Sequence, residues 1–219
     1  GSRGLGDVYK RQMIQRLLKE TKGQLVSFNG GTKGNAIPRE CEASLIYESD
    51  EEAAKAEELA CELAETYAEE LTPAEPDFSC EISCETNRTA EAIPQDAAKE
   101  FICAMRLAPN GIQKRNIKMD GFVVVSLNLG VVRTEEDRIV MIFSPRSSVA
   151  SLQEDTKERL NTLAETFGFT VSHSSEYPGW SFKEDSPVRE ICKESYKELF
   201  GEDPVSYTHL RAHETLRHL

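Results

Sequence analysis

Few side chains in this 219-residue chain could do chemistry, and those that could are unevenly placed. Three of the four histidines, His209, His213 and His218, fall in the last eleven residues. On a helix their spacing would bring them close enough to suggest a metal site. The fourth, His173, ends the run "FTVSH", where a structural or surface role competes with a catalytic one. Six cysteines stand at 41, 61, 80, 84, 103 and 192, none in a C-x-x-C pair. Cys80 and Cys84 lie four apart in the alternating run "FSCEISC", which places both on one buried face of a strand. A zinc site there would need two more soft ligands nearby. Buried free thiols in a reducing compartment are the competing reading. Asn35 stands in "NGGTKGNAIPRE", a glycine-rich loop that leads into a strand pattern. Turn chemistry beside the glycines accounts for that asparagine, and a polar contact to a ligand is the alternative role.

No self-sufficient catalytic set accompanies these residues. There is no Gly-x-Ser-x-Gly, no P-loop, no dinucleotide glycine fingerprint, no His-x-Asp and no His-Glu-x-x-His. Acidic residues abound, 38 against 26 basic ones for a net charge of −12, but they belong to the outer faces of helices. That balance argues against binding a phosphate backbone, so no nucleic-acid partner is expected. No apolar run approaches the roughly 18 residues of a membrane span, and no signal-peptide pattern is present. A cytoplasmic protein without a membrane partner is the expectation.

The two ends differ from the middle. "GSRGLGDVYKRQ" (1–12) and "VSYTHLRAHETLRHL" (205–219) resemble translated sequencing-adaptor sequence. The head carries +2 and the tail +1, so residues 13–204 carry −15 of the total −12. Both ends are set aside from fold reasoning as non-native, and with the tail goes the histidine cluster.

The elements that must position Asn35 follow from periodicity. "MIQRLLKETK" (13–22) predicts the end of a helix with Ile14, Leu17 and Leu18 on one face and Gly23 beyond it. "QLVSF" and "CEASLIY" predict strands on either side of the glycine loop. Ser49 with Glu52 forms a capping box for a helix showing Leu59, Leu63, Tyr67 and Leu71 on one side and glutamates on the other. "DFSCEISCE" is the cleanest period-two strand, with Phe78, Cys80, Ile82 and Cys84 inward. A helix over 95–107 presents Ala98, Phe101, Ile102 and Met105. The runs 121–132 and 138–143 predict a long hairpin. Ser151 with Glu154 predicts another capped helix with Leu152, Leu160, Leu163 and Phe167, closed by Gly168. "FTVSH" predicts a last strand. Beyond the aromatic loop holding Tyr177 and Trp180, "SPVREICKESYKELFGEDP" predicts a helix with Pro187 in its first turn and Gly201 past its end. Residues 24–174 thus predict one α+β domain of ferredoxin-like architecture, an antiparallel-rich sheet with helices on one face. The helix after 187 reads as the first piece of another domain.

Several separate runs carry a resemblance: "FNGGTKGNAIPRE", "APNGIQKRN", "VSLNLGVV", "SPRSSVAS", "YPGW" and "DSPVREICKESYKELFGEDP". Together, and in this order, residues 13–204 resemble the aminoacyl-histidine dipeptidases, also called cytosol non-specific dipeptidases. These sit in the two-metal dipeptidase and aminopeptidase family that includes the carnosinases. The resemblance implies an enzyme whose α/β catalytic domain is interrupted by an inserted lid, with zinc, or another divalent metal such as cobalt or manganese, and a carboxylate base acting on a dipeptide. On that basis residues 13–23 end a catalytic-domain helix, 24–174 form the lid and 175–204 return to the catalytic domain.

The resemblance implies metal ligands before Met13 and after Pro204. Neither the family's Gly-Gly-His-Ser-Gly segment, which supplies a lid-side histidine, nor its closing His-Ala-Gly-Leu-Glu-Cys-Gly segment is in this chain. It is therefore expected to be an internal fragment, with no catalytic or metal-ligating residue of its own and no hydrolysis alone. Two residues carry over as substrate contacts. Asn35 matches the lid asparagine that binds substrate or its oxyanion, and Arg146, in "SPRSS", matches the arginine that grips the substrate's C-terminal carboxylate. Arg39, Ser147 and Trp180 lie near these motifs with no role beyond a structural one. Pairing of lid sheets in related enzymes makes a homodimer possible. The alternative reading is a free-standing acidic ferredoxin-like module that binds a ligand or dimerises without catalysis.

Overall fold

In the computed structural model, the residues described are 5–73, 75–86, 89–117, 122–174 and 185–205. Helix α1 (Leu5–Glu20) buries Met13, Ile14 and Leu17 and stops three residues before Gly23. It begins inside the head segment, and the charge seam at residue 12 leaves no break in its backbone. Tyr9 packs on Tyr67 with ring centroids 4.7 Å apart, and Arg11 is buried with its Nη1 donating to the Met105 carbonyl at 3.0 Å.

Strands β1 (Gln24–Gly30) and β2 (Cys41–Ile46) flank the glycine loop. Helix α2 (Asp50–Leu71) starts as the capping box requires, the Ser49 hydroxyl accepting from the Glu52 amide at 3.3 Å. Three acidic residues in its first turn complement the positive end of its dipole. Its buried stripe is Ala56, Ala60, Leu63, Tyr67 and Leu71. Two alanines thus join the expected Leu63, Tyr67 and Leu71, while the expected Leu59 is only partly buried against the core. Helix α3 (Gln95–Leu107) buries the four expected residues together with Ala104.

Strands β3 (Gly111–Arg115), β4 (Val123–Thr134) and β5 (Ile139–Ser147) complete one five-stranded sheet whose ladders are all antiparallel. Its order is β2-β1-β4-β3, with β5 also on β4. β5 pairs along β4 from Val125 to Thr134, while β3 takes Val123 to Leu127 and β1 touches only at Gly30–Val132. β1 and β3 therefore line the same side of β4, end to end, with β5 on the other. Helix α4 (Ala150–Thr166) lies against β4 and β5 and meets α3. The core joins α1, α2 and α3 to the sheet, with Phe28 fully buried and edge-on to Phe101 at 5.7 Å. This is the α+β class expected, an antiparallel sheet with helices on one face.

Four expectations are corrected. "DFSCEISCE" is not a strand. Phe78, Cys80 and Ile82 do turn toward the core as the alternation requires, but Cys84 is exposed. Period-two burial needs only an extended chain, whereas a strand also needs a neighbour in register. "FTVSH" is not a strand either; Val171 is exposed and His173 instead meets Asn161 Oδ1 through its Nε2 at 3.0 Å. Ser151 does not cap α4. The N-cap is Val149, and Ser147 Oγ both accepts from the Val149 amide and donates to its carbonyl, at 3.0 and 2.9 Å. The thiols are free, but Cys61, Cys84 and Cys192 are exposed rather than buried. One strand, β3, was not expected, since its five residues show no alternation. Helix α5 (Pro187–Phe200) forms with its Ser186 cap and left-handed Gly201, φ 73°. It buries nothing: Val188, Ile191, Leu199 and Phe200 are exposed. His209, His213, His218, Tyr177 and Trp180 lie outside the described residues.

β1 and β4 share a single backbone bridge, so side chains complete their join. The Thr134 hydroxyl accepts from the Phe28 amide at 2.8 Å and donates to the Phe28 carbonyl at 3.2 Å. Asn29 Oδ1 accepts from the Thr134 amide at 2.9 Å. Thr134→Val keeps the shape but leaves the Phe28 amide without its partner, which should cost about 1–3 kcal/mol. Urea unfolding should show a lower midpoint with an unchanged slope; an unchanged midpoint would mean that water or the backbone takes over the bond.

Candidate functional site

The two faces of the sheet have different chemistry. Ile139, Met141 and Phe143 of β5 pack on the core, as does Leu129 of β4, which pairs with Phe143. Alternation then puts Ile142, Ser144 and Arg146 on the opposite face. Their cross-strand partners there are Val131, Asn128 and Ser126. Between Leu129 and Val131 the register shifts, so Gly130 is the extra residue of a β-bulge.

The loop after β1 lies on this face, over the bulge. Asn128 Nδ2 donates to the Gly34 carbonyl at 3.0 Å and to the Ala36 carbonyl at 2.8 Å. The Ala36 amide donates to the Lys33 carbonyl at 3.1 Å, closing a turn with Gly34 and Asn35 at its centre. Asn35 itself is exposed. The glycines serve close approach here. A Cβ on Gly130 would run into the Gly34 backbone, its Cα at 2.6 Å, and one on Gly34 would meet Ile142 Cγ2 at 2.9 Å and Ser144 Oγ at 4.0 Å. Only Gly31 also uses its conformational freedom, with φ +71° beside the Gly130 carbonyl.

The turn that bears Asn35 thus sits above Ile142 and Ser144. Arg146 is the next residue on that face, about 7 Å further along the strand. The two residues singled out by the sequence are 111 positions apart and lie on one open face of one sheet. Arg146 is partly buried and pairs with Ser126 in the ladder. Of the neighbours, Arg39 is exposed and Ser147 is occupied with the turn into α4.

Three residues that build this face escaped the sequence reading. Asn128 and Gly130 were hidden in "VSLNLGVV", where a polar and a small residue fit an ordinary two-faced strand. Asn110 is the third: its Oδ1 accepts from the Leu129 amide at 2.9 Å. That bond fills the gap on β4 between the end of β3 and the start of β1. An Asn-Gly pair signals a turn but not a side chain used in place of a strand.

The fold is similar to part of a solved dipeptidase. A solved structure, aminoacylhistidine dipeptidase from Vibrio alginolyticus, matches it with a TM-score of 0.75 and 30% sequence identity, over 91% of this chain and 41% of that one. In sequence the chain is 30% identical over 209 residues to the cytosol non-specific dipeptidase of Escherichia coli (strain K12), covering 92% of this chain and 41% of the bacterial protein. It therefore spans about two fifths of the length of these relatives. No protein-family model matches it. The resemblance read from the sequence motifs is the one both comparisons return, to peptide-bond hydrolases specific for dipeptides.

Dipeptidases of this kind depend on metal ions. Among the described residues, no group of three or more His, Cys, Asp or Glu side chains is gathered where a metal could be held. These residues do not fit a metal centre. No helix among the described residues is long and apolar enough to cross a membrane.

Contact between the loop and the bulge makes a clear prediction. Gly130→Ala forces a methyl group against the Gly34 backbone and should cost about 1–3 kcal/mol while displacing residues 31–36. Gly34→Ala meets only the end of the Ile142 side chain and should be milder. Thermal unfolding with amide NMR spectra of both variants tests the order; equal effects would show that the loop does not rest on the bulge.

Proposed function

We propose that this chain is the substrate-holding, lid part of a metal-dependent dipeptidase that acts on Xaa-His and other dipeptides. In this reading residues 24–174 are the inserted lid, with 13–23 and 175–204 joining it to a catalytic domain. The observation that carries it is the shared open face. Asn35 is exposed on the turn above Ile142 and Ser144, and Arg146 is the next residue after Ser144 on the same face of β5.

Each residue suits one end of that substrate. Arg146 offers two parallel N–H donors to a terminal carboxylate, and reading that carboxylate limits the substrate to short peptides. Asn35 offers an amide N–H to the oxygen that becomes anionic when the peptide carbonyl is attacked. An amide stays neutral across the working pH range, so the donor needs no tuning. Activation of water by metal ions belongs, in this reading, to the catalytic domain of the whole protein. Helix α5 favours this reading over a free-standing module. Four large apolar side chains left in water on one short helix suit a surface that another part of a larger protein covers.

Binding can be tested without turnover. Titrating the labelled chain with β-alanyl-histidine should shift the amides of residues 34–36, Ser144 and Arg146. The C-terminal amide of that peptide lacks the carboxylate and should bind about tenfold more weakly, the size of one charge-assisted bond. Arg146→Ala should abolish that difference, and Arg146→Lys should restore only part of it. Equal binding of both peptides to the unaltered chain would overturn the role of Arg146. The chain alone should release no histidine from β-alanyl-histidine with zinc, cobalt or manganese present; measurable turnover would refute the division of labour.

A further inference from the structure

We propose that Asn128 is a positioning residue, fixing the turn that presents Asn35; the consequence for substrate rests on the reading above. An asparagine side chain has two N–H donors on one nitrogen. Asn128 Nδ2 lies within hydrogen-bond distance of the two carbonyls that flank Asn35, at 3.0 Å from Gly34 O and 2.8 Å from Ala36 O. With both carbonyls drawn down to the sheet, the residue between them is left on the outside. The bond from the Ala36 amide to Lys33 closes the same turn from the other side. Asn35 therefore owes its exposed position to a side chain on β4, 93 residues later in the chain.

The residue type is specific to this task. Aspartate has the same shape, but an ionised carboxylate only accepts and would face two carbonyl oxygens. Serine or threonine offers one hydrogen for two acceptors. Leucine fills the space and donates nothing. Neighbouring residues supply the remaining conditions. Gly130, the bulge residue, lets the Gly34 backbone come within reach of Asn128. The Leu129 amide, between them, is held by Asn110 Oδ1, which keeps this stretch of β4 in place where neither β1 nor β3 pairs with it.

Isosteric substitution separates donation from packing. Amide exchange and fast backbone order are measured for the full chain and for Asn128→Asp, Asn128→Leu and Asn35→Ala. In both Asn128 variants the Ala36 amide should exchange about tenfold faster and residues 33–36 should lose order, while β4 and β5 keep theirs. Asn35→Ala should leave exchange unchanged. β-Alanyl-histidine supplies the second readout. Asn128→Asp should lose the ligand shift at 34–36 yet still discriminate between the peptide and its C-terminal amide, a property assigned to Arg146. Unchanged exchange at Ala36 in Asn128→Asp, or a loss spread evenly over β4 and β5, would overturn the proposal. If the unaltered chain binds no peptide, the substrate reading fails, and the exchange data still decide whether Asn128 holds the turn.

Discussion

Three consecutive residues of β4, Asn128, Leu129 and Gly130, carry the constraint on which this structure turns. They stand where the strand has lost its neighbours on one side, between the end of β3 and the single bridge to β1. A buried strand amide left unpaired there would cost about 1–3 kcal/mol. The Leu129 amide is satisfied by the Asn110 side chain, the Asn128 side chain turns its donors to the loop, and the Gly130 bulge makes room for that loop. Where the backbone ladder is interrupted, side chains and a neighbouring loop complete the bonding. The candidate site is built at that interruption.

The two faces of the sheet divide the work. One is filled by Phe28, Leu129 and the buried stripes of α1, α2 and α3, and it supplies the apolar burial that holds the domain together. The other carries a loop, two serines, an asparagine and an arginine beside the apolar pair Val131 and Ile142. A rigid sheet covered on its helical face suits a site on the other, because strands hold side chains more exactly in place than loops do. Asn35 is on a loop, but that loop is tied to the sheet at two points.

Similarity to dipeptidases over about two fifths of their length accords with this division. In the reading proposed above, the open face would take both ends of a short peptide and the metal centre would belong to the rest of the protein. Helix α5, with its apolar side chains in water, is the element whose burial the rest of the fold does not account for.

Much of this was legible in the chain itself. The Ser49 box, the stripe from Leu63 to Leu71, the helix over 95–107, the long hairpin and the Pro187 to Gly201 helix all rest on local rules of periodicity and capping, which neighbouring residues decide among themselves. The α+β class follows from those elements, and the motifs around Asn35 and Arg146 carried the resemblance to dipeptidases. What stayed hidden depended on partners distant in sequence. Whether "DFSCEISCE" and "FTVSH" become strands is decided by a neighbour in register, and β3 forms without alternation because β4 lies beside it. The same holds at the site. The resemblance could nominate Asn35 and Arg146, but only the folded sheet, whose alternation and bulge place Asn128 beneath one and Ser144 beside the other, puts them on a common face.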